Sequence, residues 1–171
     1  ANFSSSFIST AIICAGNNAD AKNASGQAYL GEVKNGNSFN LHIFSGVEKQ
    51  VTLYMTASSG VIEKDIAGWK PVKMADIQLN KMIKISQNGN TLSIGDDVIL
   101  PGSETPANAD GKYTYDPSIW ANFVRVAIGT VNLNQGDNVI NVTITSSIKN
   151  EDTITKSNGT MNIDKFDLVD N

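Results

Sequence analysis

One cysteine and one histidine among 171 residues exclude several kinds of protein at the outset. Cys14 has no partner for an internal disulfide, and within the apolar run "TAIICAG" it reads as a buried structural thiol. His42 alone supplies neither a zinc set nor a Ser-His-Asp triad, and it is expected on the outward face of a strand. G-x-S-x-G, a Walker loop and Cys-x-x-Cys are missing too, so hydride transfer, nucleotide chemistry and triad hydrolysis have no support. Positive charge is scarce: the net charge is −4 and the lysines are scattered, which leaves no electrostatic footprint for nucleic acid or an anionic lipid surface. No apolar run approaches the roughly 20 residues that cross a bilayer. The opening "ANFSSSFIST" lacks the charged start of a secretion signal, so the expectation is a mature or excised domain with no membrane insertion. Sustained helical periodicity is absent as well.

What is present is period-two alternation. "SFNLHIF" (38–44) places Phe39, Leu41 and Ile43 on one face, and "QVTLYMTA" (50–57) does the same with Val51, Leu53 and Met55. "KMIKISQNGNTLSIG" (81–95) reads as two strands around an Asn88-Gly89 turn, a pair that accepts positive φ cheaply. A short strand follows in "DDVILP" (96–101), and a longer one in "WANFVRVAIGTVNL" (120–133) with Val124, Val126 and Ile128 in phase. "NQGDN" (134–138) is a turn, and "VINVTITS" (139–146) then points Ile140, Val142 and Ile144 inward.

The closing strand, "MNIDKFDLV" (161–169), has an awkward pattern: Met161 and Ile163 share one phase, Phe166 and Leu168 the other. A bulge near Asp164-Lys165 reconciles them, because one extra residue reverses the facing. About eight or more strands with turn-rich connections predict an all-β fold, a β-sandwich (jelly roll) of two antiparallel sheets forming one domain over residues 1–171. The Asn-, Ser-, Thr- and Gly-rich composition is that of secreted bacterial β-proteins, so a secreted or cell-surface location is expected.

Three long connections stand out: 58–75 with Trp69, 101–119 with Tyr113 and Tyr115, and 147–160. Such loops on a rigid sandwich are where binding usually resides. Loop carboxylates at Glu63, Asp65, Glu104, Asp110, Asp116, Glu151 and Asp152 could in principle run glycoside hydrolysis, but nothing marks two of them as partners. "NADGKYTYD" (108–116) fails the EF-hand template, with Pro106 and Pro117 where ligands belong, and reads as a turn.

The order of a hairpin, "V-I-L-P", a loop ending in Trp-x-x-aromatic, a long strand, "V-N-L-N-Q-G-D-N-V-I-N-V" and "N-I-D-K-F-D-L-V" resembles the carbohydrate-binding modules of families six and thirty-five. The stretch "ASGQAYLGEVKNGNSFNLHI" (24–43) is similar to that group's early "A-S-G-G-x-Y-V-G" segment. The resemblance implies a noncatalytic β-sandwich that holds a polysaccharide or oligosaccharide and targets an attached enzyme or cell-surface protein to it, as a monomer within a multimodular chain. Sugar recognition needs a flat apolar surface for the pyranose C–H face and fixed polar groups for its hydroxyls, which an aromatic ring and an amide provide.

By the same resemblance Trp120 is the stacking ring and Asn162 the amide, at the mouth of a cleft at one end of the sandwich. Read as residues alone, Trp120 has an alternative as a cap over the sandwich edge and Asn162 as a turn residue; Phe123 reads as core. Many relatives carry a second aromatic where this chain has Glu32, which makes Glu32 a candidate polar contact and Trp69 a candidate replacement surface. Tyr29 lies nearby, although its motif position suggests packing.

The resemblance also implies a structural calcium ion between an early "E-A-E" and a late aspartate. Asp164 matches the late ligand, whereas Ile8 and Thr10 stand where both glutamates belong. Asp164 and Asp167 are otherwise outward-facing strand residues. Two rival functions follow from the residues: a structural or protein-interaction sandwich with a decayed cleft, and a small hydrolase or lyase using loop carboxylates.

Overall fold

A computed structural model describes residues 2–4, 12–15, 23–146, 148–149 and 158–171. The side chains of Gln27, Glu32 and the segments 2–4, 12–15, 148–149 and 158–159 lie outside that description. The alternating segments become strands. In chain order these are β1 (Asn2–Ser4), β2 (Ile12–Ala15), β3 (Ala28–Val33), β4 (Ser38–Ser45), β5 (Lys49–Ser59), β6 (Ile62–Asp65), β7 (Pro71–Met74) and β8 (Ile77–Gln78). They continue as β9 (Ile83–Gln87), β10 (Asn90–Leu92), β11 (Ile99–Leu100), β12 (Val124–Leu133), β13 (Gly136–Ile144), β14 (Ile148–Lys149), β15 (Asn158–Gly159) and β16 (Met161–Asp170).

Ten of these strands build two five-stranded antiparallel sheets, ordered β1-β4-β13-β9-β10 and β12-β5-β16-β3-β2. Each presents one apolar face to the other. Phe39, Leu41, Ile85, Ile140, Val142 and Ile144 come from the first sheet; Val51, Leu53, Met55, Val131, Met161 and Ile163 come from the second. All are buried in one core, and each fully buried aliphatic chain contributes about 1.5–3 kcal/mol relative to exposure. This is the β-sandwich expected from the alternation.

Two single-residue insertions set the facing of the strands on either side of β5. Along β16 and β5, Ile163 pairs with Ala57 and Lys165 with Thr56, so Asp164 is the extra residue and Phe166 returns to the core. The bulge thus lies where the phase of the sequence reverses. A second bulge, not anticipated, falls at Ile128, between the pairs Ala127–Tyr54 and Gly129–Leu53. It keeps Val131 and Leu133 inward after Val124 and Val126. The β9–β10 turn has φ of 48° at Asn88 and 84° at Gly89, the conformation that Asn-Gly supplies.

Two expectations need correction. The 58–75 stretch is a β-hairpin, β6 pairing with β7, rather than an irregular connection. Pro71 is tolerated there because it is the first residue of its strand. The strand expected over 120–133 begins at Val124; residues Pro117–Ala121 form a 3-10 turn instead. The reason is local: Pro117 follows Asp116, whose Oδ1 accepts the Ser118 N–H at 2.9 Å.

Leu53 is fully buried at the centre of the core. Leu53→Ala is expected to lower the free energy of unfolding by about 2–5 kcal/mol, measured by urea titration followed by circular dichroism.

Candidate functional site

The 3-10 turn at Pro117–Ala121 buries Ile119 and Ala121 and leaves Trp120 half-buried, its indole only partly covered. Three hydrogen bonds pin its backbone. The Ile119 carbonyl accepts from Ser103 Oγ at 3.0 Å, and the Trp120 carbonyl accepts from both Ser58 Oγ at 2.6 Å and Asn162 Nδ2 at 2.7 Å. Ser58 and Asn162 are directly opposed on β5 and β16. Their neighbours Ala57 and Ile163 face the core, so alternation places this pair on the outer face of the sheet.

Trp120 and Asn162 are therefore brought together at one place, as the resemblance implied. Asn162 is nonetheless only 7% exposed, and its amide nitrogen donates to the protein backbone. The carboxamide positions the turn that carries the indole. Beneath it, Tyr29 meets Phe123 edge-on, ring centroids 5.3 Å apart at 64°, in a small apolar cluster with Ala24 and Ala121. Tyr29 is 5% exposed, which corrects its place among the sugar-contacting candidates: it packs under the site, as its motif position suggested. Phe123, expected in the core, instead packs half-buried in this satellite cluster.

Trp69 stands at the tip of the β6–β7 hairpin, 43% exposed, with its ring centroid 6.4 Å from that of Trp120 and the planes inclined by 36°. The hairpin and the 101–119 loop behave as one unit. Met74 N–H donates to Ser103 O at 2.7 Å, Thr105 N–H donates to Val72 O at 2.8 Å, and Lys73 bridges to Glu104. Lys64 Nζ lies 3.7 Å from the centre of the Tyr113 ring, a cation–π contact between the two elements. Trp120 Nε1–H donates to the Tyr115 hydroxyl at 3.2 Å.

Sequence reasoning missed Ser58 and Lys64, and it named Tyr115 only as part of the 101–119 loop, without its bond to Trp120. An isolated Ser at a strand end carries no signal. The Glu63–Lys73 ion pair at 2.5 Å braces the hairpin, and Glu63, by hydrogen bond and then by charge, raises the Lys73 pKa. Both groups are solvent-exposed, so the pair adds little stability.

Glu32 lies on β3 where its register against β16 shifts, between the pairs Val33–Met161 and Leu30–Ile163; its side chain is outside the described residues. Asp164 Oδ1 accepts from Ser25 N–H at 2.9 Å and Ser25 Oγ–H at 2.8 Å, tying an early turn to the last strand. Positions 8 and 10 are outside the described residues. Among the described residues no group of three or more His, Cys, Asp and Glu is placed to hold a metal.

No family model matches the sequence, and no curated protein matches it. The solved structures do. A family 35 carbohydrate-binding module from Clostridium thermocellum aligns over 94% of this chain and 88% of its own, at 18% identity and a TM-score of 0.52. The corresponding module of Cellvibrio japonicus Abf62 aligns over 93% and 85%, at 15% identity and a TM-score of 0.52. This chain has the fold of family 35 carbohydrate-binding modules. A third similar structure, a Podospora anserina GH26-CBM35 β-(1,4)-mannanase, aligns over 94% of this chain but 26% of its own, at 18% identity and a TM-score of 0.50.

The capping carboxylate of the Trp120 turn is sensitive to acid. The Ser118 backbone N–H, and then its hydroxyl, hold the Asp116 carboxyl below its ordinary value. A depressed folded value means the cap is at full strength above the unfolded carboxylate pKa and is lost as pH falls through the folded value. Asp116→Ala is expected to lower the thermal midpoint at neutral pH, with the gap to wild type closing below about pH 4.

Proposed function

We propose that this domain is a noncatalytic carbohydrate-binding module that anchors an attached enzyme or cell-surface protein to a polysaccharide. The observation that carries this reading is the pair of solvent-reaching indoles, Trp69 and Trp120, fixed side by side on the outer face of a sandwich with the family 35 fold. An indole offers a rigid apolar face for pyranose C–H bonds, and its immobilisation by Ser58, Asn162 and Tyr115 removes much of the ordering cost of binding. Glu32, on the strand beside Asn162, is the candidate for a sugar hydroxyl contact. The multimodular context, a secreted or cell-surface location and a monomeric state belong to the same proposal. The alignment to one part of a larger mannanase supports the first of these.

Trp120→Ala is expected to abolish retention in a polysaccharide affinity gel while leaving the circular dichroism spectrum unchanged. Retention equal to wild type would remove Trp120 from the binding surface.

The calcium ion that the resemblance implies rests on Asp164 alone, and the Ser25 hydrogen bonds supply that residue with a role that needs no ion. Thermal unfolding in excess chelator and in millimolar calcium is expected to give the same midpoint. A rise of several degrees with calcium, lost in Asp164→Asn, would instead make Asp164 a ligand completed by residues beyond those described.

A further inference from the structure

We propose that Trp69 and Trp120 form two adjacent subsites that take consecutive sugars of a bent, soluble polysaccharide chain, rather than a single terminal sugar or a crystalline face. This rests on the carbohydrate-binding reading above and goes further, to the class of ligand.

Three observations lead to it. The ring centroids are 6.4 Å apart, a separation comparable to that of neighbouring pyranoses in a chain, so each indole can serve its own sugar. The planes are inclined by 36°, and two rings so inclined cannot both lie flat on one plane. A crystalline polysaccharide presents its sugars in a plane; a chain that turns between residues meets both rings. The hairpin carrying Trp69 is backbone-paired to the loop that leads into Trp120, which fixes the two main-chain positions relative to each other, and the Trp120 Nε1–H bond to the Tyr115 hydroxyl holds one of the two rings in place.

The third observation is backbone strain. Trp69 has φ of 60°, a conformation that bulky side chains rarely adopt and that glycine adopts at no steric cost. The hairpin turn enforces it: Asp65 Oδ1 accepts from Ala67 N–H at 2.9 Å and Lys70 N–H at 3.3 Å, and Ile66 N–H donates to Lys70 O at 3.3 Å. A large aromatic held where glycine would be relaxed is an outlier of the sort found at binding sites. The indole carried there reaches solvent and meets Trp120.

The test has two arms. Affinity gels of soluble xylan, β-mannan, β-galactan and β-glucan are run beside a pull-down on microcrystalline cellulose. Calorimetry then follows with the mono-, di- and trisaccharide of whichever soluble polymer retards the protein. Expected are retention by a soluble polymer, none by the crystalline one, and about tenfold or more tighter binding of the disaccharide than of the monosaccharide.

Trp69→Gly should remove that chain-length gain while holding or raising the thermal midpoint. Trp69→Asn, which tolerates the same backbone, repeats the measurement should the glycine variant unfold. Equal affinity for mono- and trisaccharide, an undiminished gain in both Trp69 variants, or binding to microcrystalline cellulose overturns the two-subsite proposal. If Trp120→Ala still abolishes retention in that case, the carbohydrate-binding reading stands without it. A wild-type protein retained by none of the polymers overturns both.

Discussion

The backbone carbonyl of Trp120 is the point on which the site depends. Two side chains from adjacent strands, Ser58 and Asn162, donate to that one oxygen, and through it an irregular turn is fastened to a rigid sheet. The oxygen is shielded by surroundings in which Ser58 is 1% and Asn162 7% exposed. Loss of either donor there leaves a poorly solvated acceptor short of a partner, which costs more than a surface hydrogen bond. The position of the turn that carries the indole is thus set by main-chain chemistry, and the exposed aromatic surface inherits the precision of the β-ladder beneath it.

Most of the scaffold was legible because one physical rule wrote it. Strands with one buried face must alternate, and a strand that must change face needs an added residue; hence the bulge at Asp164 could be placed from Met161, Ile163, Phe166 and Leu168 alone. The bulge at Ile128 escaped because Val, Ala, Ile and Gly around it are all small or apolar and blur the phase. The β6–β7 hairpin escaped because its strands are four residues each and mix charge with apolar residues, too short for a period to declare itself.

At the site, the proximity of Trp120 and Asn162 followed from the order of elements, since the turn before β12 and the start of β16 flank the same end of β5. The roles did not follow. Whether an amide faces a ligand or a carbonyl depends on a few ångströms of loop placement, which no periodicity encodes. The same is true of Tyr29, whose ring faces the outer apolar cluster beneath the turn rather than solvent. Trp69 was nameable as a large aromatic in an otherwise polar stretch, but its partnership with Trp120 arises from β7 pairing with residues 103–105, a contact between two segments that carry no mutual signature.

The place of β16 bears on how the protein comes into being. It is the middle strand of its sheet, with β5 on one side and β3 on the other, yet it is the final strand of the sequence. The Ser25–Asp164 contact alone joins residues 139 positions apart. During synthesis the earlier strands of this domain emerge with a gap at the centre of their sheet, which β16, made after all of them, fills. Long-range closure of this kind is slow, and until it happens the facing edges of β3 and β5 stay open to other chains.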